Sequence, residues 1–158
     1  FKKEPDVLTA IISESCQIKA DVVSADERES GLRRILNFGH TAGHALEAVT
    51  KYRRYRHGEA VAFGMLVAAE IATVRGALAR DHQAALADLI ASLGPLPPIA
   101  DISSSEMLDA MTHDKKVVAG TLHFVLPTSI GSTSIVDDVT ETEIAAALRT
   151  VGFASSSL

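Results

Sequence analysis

The run "LNFGHTAGHALEAVTKYRRYRHGEAVAFGM", residues 36–65, carries three of the chain's six histidines: His40, His44 and His57. His40 and His44 stand four residues apart. On a helix that spacing puts both on one face, one turn from each other. A helix is expected from about Thr41 to Thr50. A basic stretch, "KYRRYR", interrupts it. A second helix is expected from near Gly58 through "AVAFGMLVAAEIATVRGAL", and it is apolar on most sides, as a central buried helix is. A helical hairpin turning through "TKYRRYR" would return His57 to the first pair.

Outward from this centre, the helical pattern continues in both directions. Upstream, Val7, Ile11, Ile12, Ile18 and Val22 recur at helical spacing, and a helix is expected over about Pro5 to Ser24. Pro5 suits its first position and Asp6 the positive end of its dipole. Cys16 falls inside it, and a free cysteine there reads as a small core residue. A charged link, "DERESGLRR", follows. Downstream, "DHQAALADLIASLG" reads as a helix closed by Gly94 and broken by "PLPP". "SSSEMLDAMTHD" offers a capping box of Ser103 with Glu106, and "TETEIAAALRTVG" one of Thr140 with Glu143, closed by Gly152. Between them, "TLHFVLP" and "STSIVDDV" read as two strands joined by "TSIG", a hairpin near residues 121–137. The fold class is mainly α, a multihelical array with a short β-hairpin near the C-terminus. Residues 1–153 are expected to form one helical domain and residues 154–158 a tail. The chain opens at Phe1 inside a helical pattern, as a piece of a longer protein would.

With 47% hydrophobic and 22% charged residues, the composition is that of a folded globular chain. Aromatics make up only 4% and tryptophan is absent, so Ala, Leu, Ile and Val must fill the core. The net charge of −5 leaves no broad basic field for nucleic-acid phosphates. "KYRRYR" is either a solvated turn or a basic patch near an anionic ligand. A lone cysteine forms no internal disulfide and fits a reducing cytosol. Neither an uninterrupted apolar span nor a signal-peptide pattern is present. The GxGxxG dinucleotide fingerprint does not occur.

Imidazoles and carboxylates are the ligands zinc takes, and a catalytic zinc keeps one position open. His40, His44 and His57 with a nearby acid would fit, and Glu47 and Glu59 are the local acids. Histidines at helical spacing can equally face solvent, and Glu59 can equally serve the start of its helix. The HExxH arrangement is lacking. Lys19, Arg33 and Asn37 form a second group, in which a guanidinium fork and an amide suit a carboxylate or phosphate, while a lone Lys or Arg can equally be a solvated side chain. Lys115 and Lys116, in "HDKKVVAGTLHFVLP", could meet an anion or lie in a solvated turn.

Taken in order, "LRRILNFGHTAGHALEA", "HGEAVAFGM" and "HDKKVVAGTLHFVLPTSIG" resemble the C-terminal domain of the 3-dehydroquinate synthase family, within the sugar-phosphate cyclases. The resemblance implies a two-domain cytoplasmic lyase of the shikimate pathway and aromatic amino acid biosynthesis. Such an enzyme converts 3-deoxy-D-arabino-heptulosonate 7-phosphate into 3-dehydroquinate and phosphate. It uses NAD, held mainly by an N-terminal Rossmann-like domain that this sequence lacks, and Zn2+ or Co2+. The resemblance makes His40 and His57 metal ligands, with a third, a glutamate, expected upstream of Phe1. It makes His44 an active-site histidine outside the ligand set. Lys19 and Arg33 become partners of the substrate carboxylate, and Asn37 with Lys115 or Lys116 the phosphate-side contacts. Glu29 becomes an acid that holds the basic residues. The implied partners are a sugar-phosphate substrate and a second copy of the full-length enzyme, with no nucleic acid and no membrane. The isolated chain is expected to be inactive. Two other readings stand beside this one: a sister cyclase such as 2-deoxy-scyllo-inosose synthase, and a helical metal-binding module without catalysis.

Overall fold

The computed structural model describes residues 4–28, 31–117 and 122–155, with backbone alone over 113–117. The chain divides into two compact units, Phe1–Leu36 and Asn37–Leu158.

In the first unit, α1 spans Pro5–Ala25, with Pro5 at its first turn as the sequence predicts. No residue of α1 is buried. Val7, Ile11, Ile12 and Ile18 keep 44–63% of their surface exposed. Cys16 is exposed as well, which corrects the expectation of a core residue: it shares a helix whose sides are all open. Described residues on either side of the charged link after α1 are tied to each other. Asp26 is buried, and its carboxylate accepts the N–H of Gly31 at 2.8 Å and of Arg33 at 3.0 Å. These two bonds satisfy donors at the start of a 3-10 helix, Leu32–Asn37. Six residues are too few to show a period in the sequence.

The second unit contains α2 (His40–Val49), α3 (His57–Val74), α4 (Arg80–Ser92), α5 (Ser104–Val117), β1 (Phe124–Ser129), β2 (Ser132–Val136) and α6 (Glu141–Val151). The mainly helical fold with one hairpin is the one expected. α3 is the central helix and packs against α2, α4, α6 and β1. By length and composition it could span a membrane, but its apolar residues include Val67, Ala69, Ile71 and Ala72, all buried in the core. Leu46, Val67, Ile71, Met107, Phe124, Leu126 and Leu148 are fully enclosed. Burying a side chain of this kind contributes about 1.5–3 kcal/mol.

The strands pair antiparallel, with Phe124 opposite Val136 and Pro127 opposite Thr133. A bulge between Pro127 and Ser129 leads into the turn at Ile130 and Gly131. Phe124 to Pro127 are all buried, and Phe124 and Leu126, on one face of the strand, join the core. The Thr140 hydroxyl accepts the Glu143 N–H, and the Glu143 carboxylate accepts the Thr140 N–H, so the expected capping box opens α6. Gly152 closes α6 at φ 115°, in the left-handed region that favours glycine. At α5 the partner of the Ser103 hydroxyl is Ser105, whose N–H it accepts at 3.2 Å, where the sequence pattern pairs it with Glu106. Ala154, at which the sequence pattern starts a tail, instead pairs with Ser103 and exchanges backbone bonds with Ile102 and Ser104.

Candidate metal centre

α2 and α3 form an antiparallel hairpin, and small residues let their backbones touch. Gly43 faces Ala60 and Val61, and a Cβ on it would stand 3.1 Å from the Ala60 carbonyl oxygen. A Cβ on Gly64 would overlap the Gly39 carbonyl oxygen. Gly39 itself has φ 79° and sits where a Cβ would meet the Val61 oxygen and Met65 at 2.6 Å. It can only be glycine, and it delivers His40 as the first residue of α2. Contacts run in opposite order along the two helices: Gly39 with Gly64, Gly43 with Ala60, and Glu47 with His57.

The connection between the helices is fixed from outside. Lys51 and Tyr52 both take φ 55°, an unfavourable conformation for either residue type. Two anchors follow. The buried Tyr55 donates its hydroxyl proton to the Pro98 carbonyl at 2.6 Å. The Arg54 guanidinium forks onto Asp101 at 2.6 and 2.8 Å and also reaches the Pro98 carbonyl at 2.7 Å. Residues 51–54 are exposed, so "KYRRYR" is a solvated turn whose last members are tied down. Immediately after it, His57 begins α3.

The three histidines converge. The ring centroids of His40 and His44 lie 5.3 Å apart, those of His40 and His57 5.3 Å, and those of His44 and His57 5.8 Å. One ring nitrogen from each falls within 4.8 Å of the others. Two of the rings are oriented by second partners. His40 Nδ1 faces the Phe38 carbonyl at 3.2 Å. His57 Nδ1 faces both oxygens of the Glu47 carboxylate, at 3.2 and 3.3 Å. Carbonyl and carboxylate oxygens only accept, so each bond assigns the proton to Nδ1 and leaves Nε2 as a lone-pair donor. Burial lowers the His40 pKa below 6.5; the Phe38 carbonyl opposes this, and the neighbouring imidazoles reinforce it. A neutral imidazole is the form that binds a metal.

These donors fit a divalent zinc or cobalt ion. Nitrogen ligands suit both metals. His40 is half-buried and His44 and His57 are exposed, which leaves one side open.

The other predicted residues are distributed as follows. Lys19 lies on the exposed surface of α1. Arg33 sits in the 3-10 helix, its backbone held by Asp26 and its guanidinium donating to the Glu27 carbonyl at 3.2 Å. Both belong to the first unit, whereas Asn37, exposed, opens the second. Glu29 and the side chains of Lys115 and Lys116 lie outside the described residues. Glu59 serves the start of its helix, where its carboxylate accepts the Arg56 N–H at 2.8 Å. Glu47 is the acid at the cluster, and its bond to His57 goes beyond what the sequence pattern assigns it. A signal for it exists: His40, His44 and Glu47 follow helical spacing on one face.

The model of the 3-dehydroquinate synthase C-terminal family matches residues 1–117. The 3-dehydroquinate synthase of Solibacter usitatus (strain Ellin6076) is 45% identical over 147 residues, covering 93% of this chain and 41% of its own length. That of Dichelobacter nodosus (strain VCS1703A) is 46% identical over 150 residues, covering 94% and 40%. The chain thus spans about two fifths of these relatives. Among solved structures, a 2-epi-5-epi-valiolone synthase from Streptomyces hygroscopicus subsp. jinggangensis 5008, with NAD+ and Zn2+ bound, superposes with a TM-score of 0.77 at 29% identity, covering 94% of this chain and 41% of that one. A 2-deoxy-scyllo-inosose synthase complexed with carbaglucose-6-phosphate, NAD+ and Co2+ gives 0.77 at 26% identity, covering 93% and 42%. From the family match over most of its length, the chain belongs to the 3-dehydroquinate synthase C-terminal family.

Proposed function

We propose that this chain is the metal- and substrate-binding part of a 3-dehydroquinate synthase acting in the cytoplasm on 3-deoxy-D-arabino-heptulosonate 7-phosphate. The observation that carries the reading is the convergence of His40, His44 and His57 on one open-sided cluster. His40 and His57 would hold Zn2+ or Co2+ through Nε2, and His44 would face the substrate from beside them. Held there, the metal would supply polarisation of a substrate hydroxyl and NAD would supply the hydride chemistry. Lys19 and Arg33 bind the substrate carboxylate, and Asn37 with Lys115 or Lys116 its phosphate. Cations gripping both anionic ends fix the substrate's orientation before any bond changes.

Metal content and turnover, measured together in the full-length enzyme, test these roles. His40→Ala and His57→Ala are expected to lose metal and activity at once, and His44→Ala to lose activity while most of the metal stays. Full zinc retention in both of the first two variants would reject the ligand assignment.

The likeness to 2-deoxy-scyllo-inosose synthase supports a second reading, a sister cyclase acting on a sugar phosphate without a carboxylate. The higher identity to 3-dehydroquinate synthases, 45–46% against 26–29%, favours the first. Turnover with the heptulosonate phosphate and not with glucose 6-phosphate is the expected outcome; the reverse preference would establish the sister cyclase.

A further inference from the structure

Glu47 is an acid with nine-tenths of its side chain enclosed, and its two oxygens both meet His57 Nδ1. It lies on α2, one turn beyond His44, and holds a ring that starts the other helix of the hairpin. His40 and His57 each occupy the first turn of a helix, where the backbone dipoles present positive charge. A divalent cation brought to this point meets two positive helix ends and three imidazole rings, which carry no negative charge. Among the described residues, Glu47 is the carboxylate in hydrogen-bonding contact with the cluster. From this geometry we infer that Glu47 is a positioning residue for the metal centre: it fixes the His57 ring with Nε2 outward and adds negative charge behind that ligand, to the benefit of dication binding.

The inference rests on the reading of His40 and His57 as metal ligands and goes a step beyond it. Hydrogen bonding of a ligand imidazole's second nitrogen to a carboxylate raises its basicity and sets its tautomer, and removing such a partner typically weakens metal binding 10–100-fold. Charge and shape are separable here. Gln keeps the volume and an accepting oxygen but removes the charge. Ala removes both.

The test is Co2+ affinity by chelator competition on the full-length enzyme, with the visible spectrum recorded at saturation. Glu47→Ala is expected to weaken binding 10–100-fold and Glu47→Gln by a smaller factor of several-fold. Both should reach the wild-type spectrum at saturating metal, because the ligand set is unchanged. Far-UV circular dichroism monitors the fold; if the alanine variant fails to fold, the glutamine variant decides alone. Affinity within twofold of wild type in the folded variants would overturn the inference. A changed saturated spectrum in Glu47→Gln would overturn it too, since Glu47 would then be a ligand itself. His40→Ala and His57→Ala serve as controls in the same titration. Loss of binding in them with unchanged affinity in the Glu47 variants removes only this inference, whereas wild-type affinity in the controls removes the metal reading beneath it.

Discussion

Gly64 shows how little freedom single residues have at the α2–α3 crossing. Its missing Cβ is the space occupied by the Gly39 carbonyl. Gly64→Ala must therefore push the helices apart or distort the turn ahead of His40. Overpacking a tight core costs about 1–3 kcal/mol, and here the obstacle is backbone, which cannot rotate away. The expected outcome is a thermal midpoint lower by several degrees together with weakened metal binding; an unchanged midpoint would show that the helices slide past each other at no cost. Gly31 and Gly58, with open space around the Cβ position, should accept alanine with far smaller effects. In the sequence nothing local tells which of these glycines touches another backbone. The histidines themselves were legible, because four-residue spacing is a local property that survives folding. The Glu47–His57 bond was not, since it depends on how far the hairpin connection displaces one helix along the other.

At the scale of elements, the anchor between α3 and α6 is an ion-pair fork. Arg75, at the end of α3, donates to both oxygens of Glu143 at 2.7 and 2.9 Å and to Asp138 at 2.7 Å. The Arg75 guanidinium, aided by the Thr140 N–H, holds the Glu143 carboxyl down to about 2, against an ordinary 4.5. A depressed carboxyl stabilises the fold only while it is ionised. Its contribution is complete above about pH 4.5 and is lost as the pH falls from there toward 2. The partly solvated pair is worth about 1 kcal/mol. Glu143→Gln should lower stability by that order at pH 7 and flatten the acid limb of a stability–pH curve below 4.5; a variant with the same acid limb as wild type would show that the fork contributes nothing. Elements with long periodicity or explicit caps were readable in advance: α3 from its apolar faces, α6 from Thr140, Glu143 and Gly152. The 3-10 helix Leu32–Asn37 was hidden because it is held by a buried aspartate six residues ahead of its first turn, with no period of its own.

For the whole molecule, the buried core is a property of one unit. Every member of the main apolar cluster, from Ala42 to Phe153, falls within residues 37–158. A chain of residues 37–158 is expected to fold alone, with a cooperative thermal transition within a few degrees of the full chain's; loss of cooperativity in circular dichroism would show that residues 1–36 complete the core. One further feature acts across this unit. Lys51 and Tyr52 turn in the left-handed region, with the Tyr52 N–H on the Glu47 carbonyl at 2.7 Å, and Arg54 and Tyr55 just after them are moored to Pro98 and Asp101, more than forty positions later in the sequence. The segment around residue 100 therefore holds the stretch of chain that leads into His57. Damage there would read out as a detuned instrument: a molecule that still melts as a folded protein but has lost its pitch for the ion.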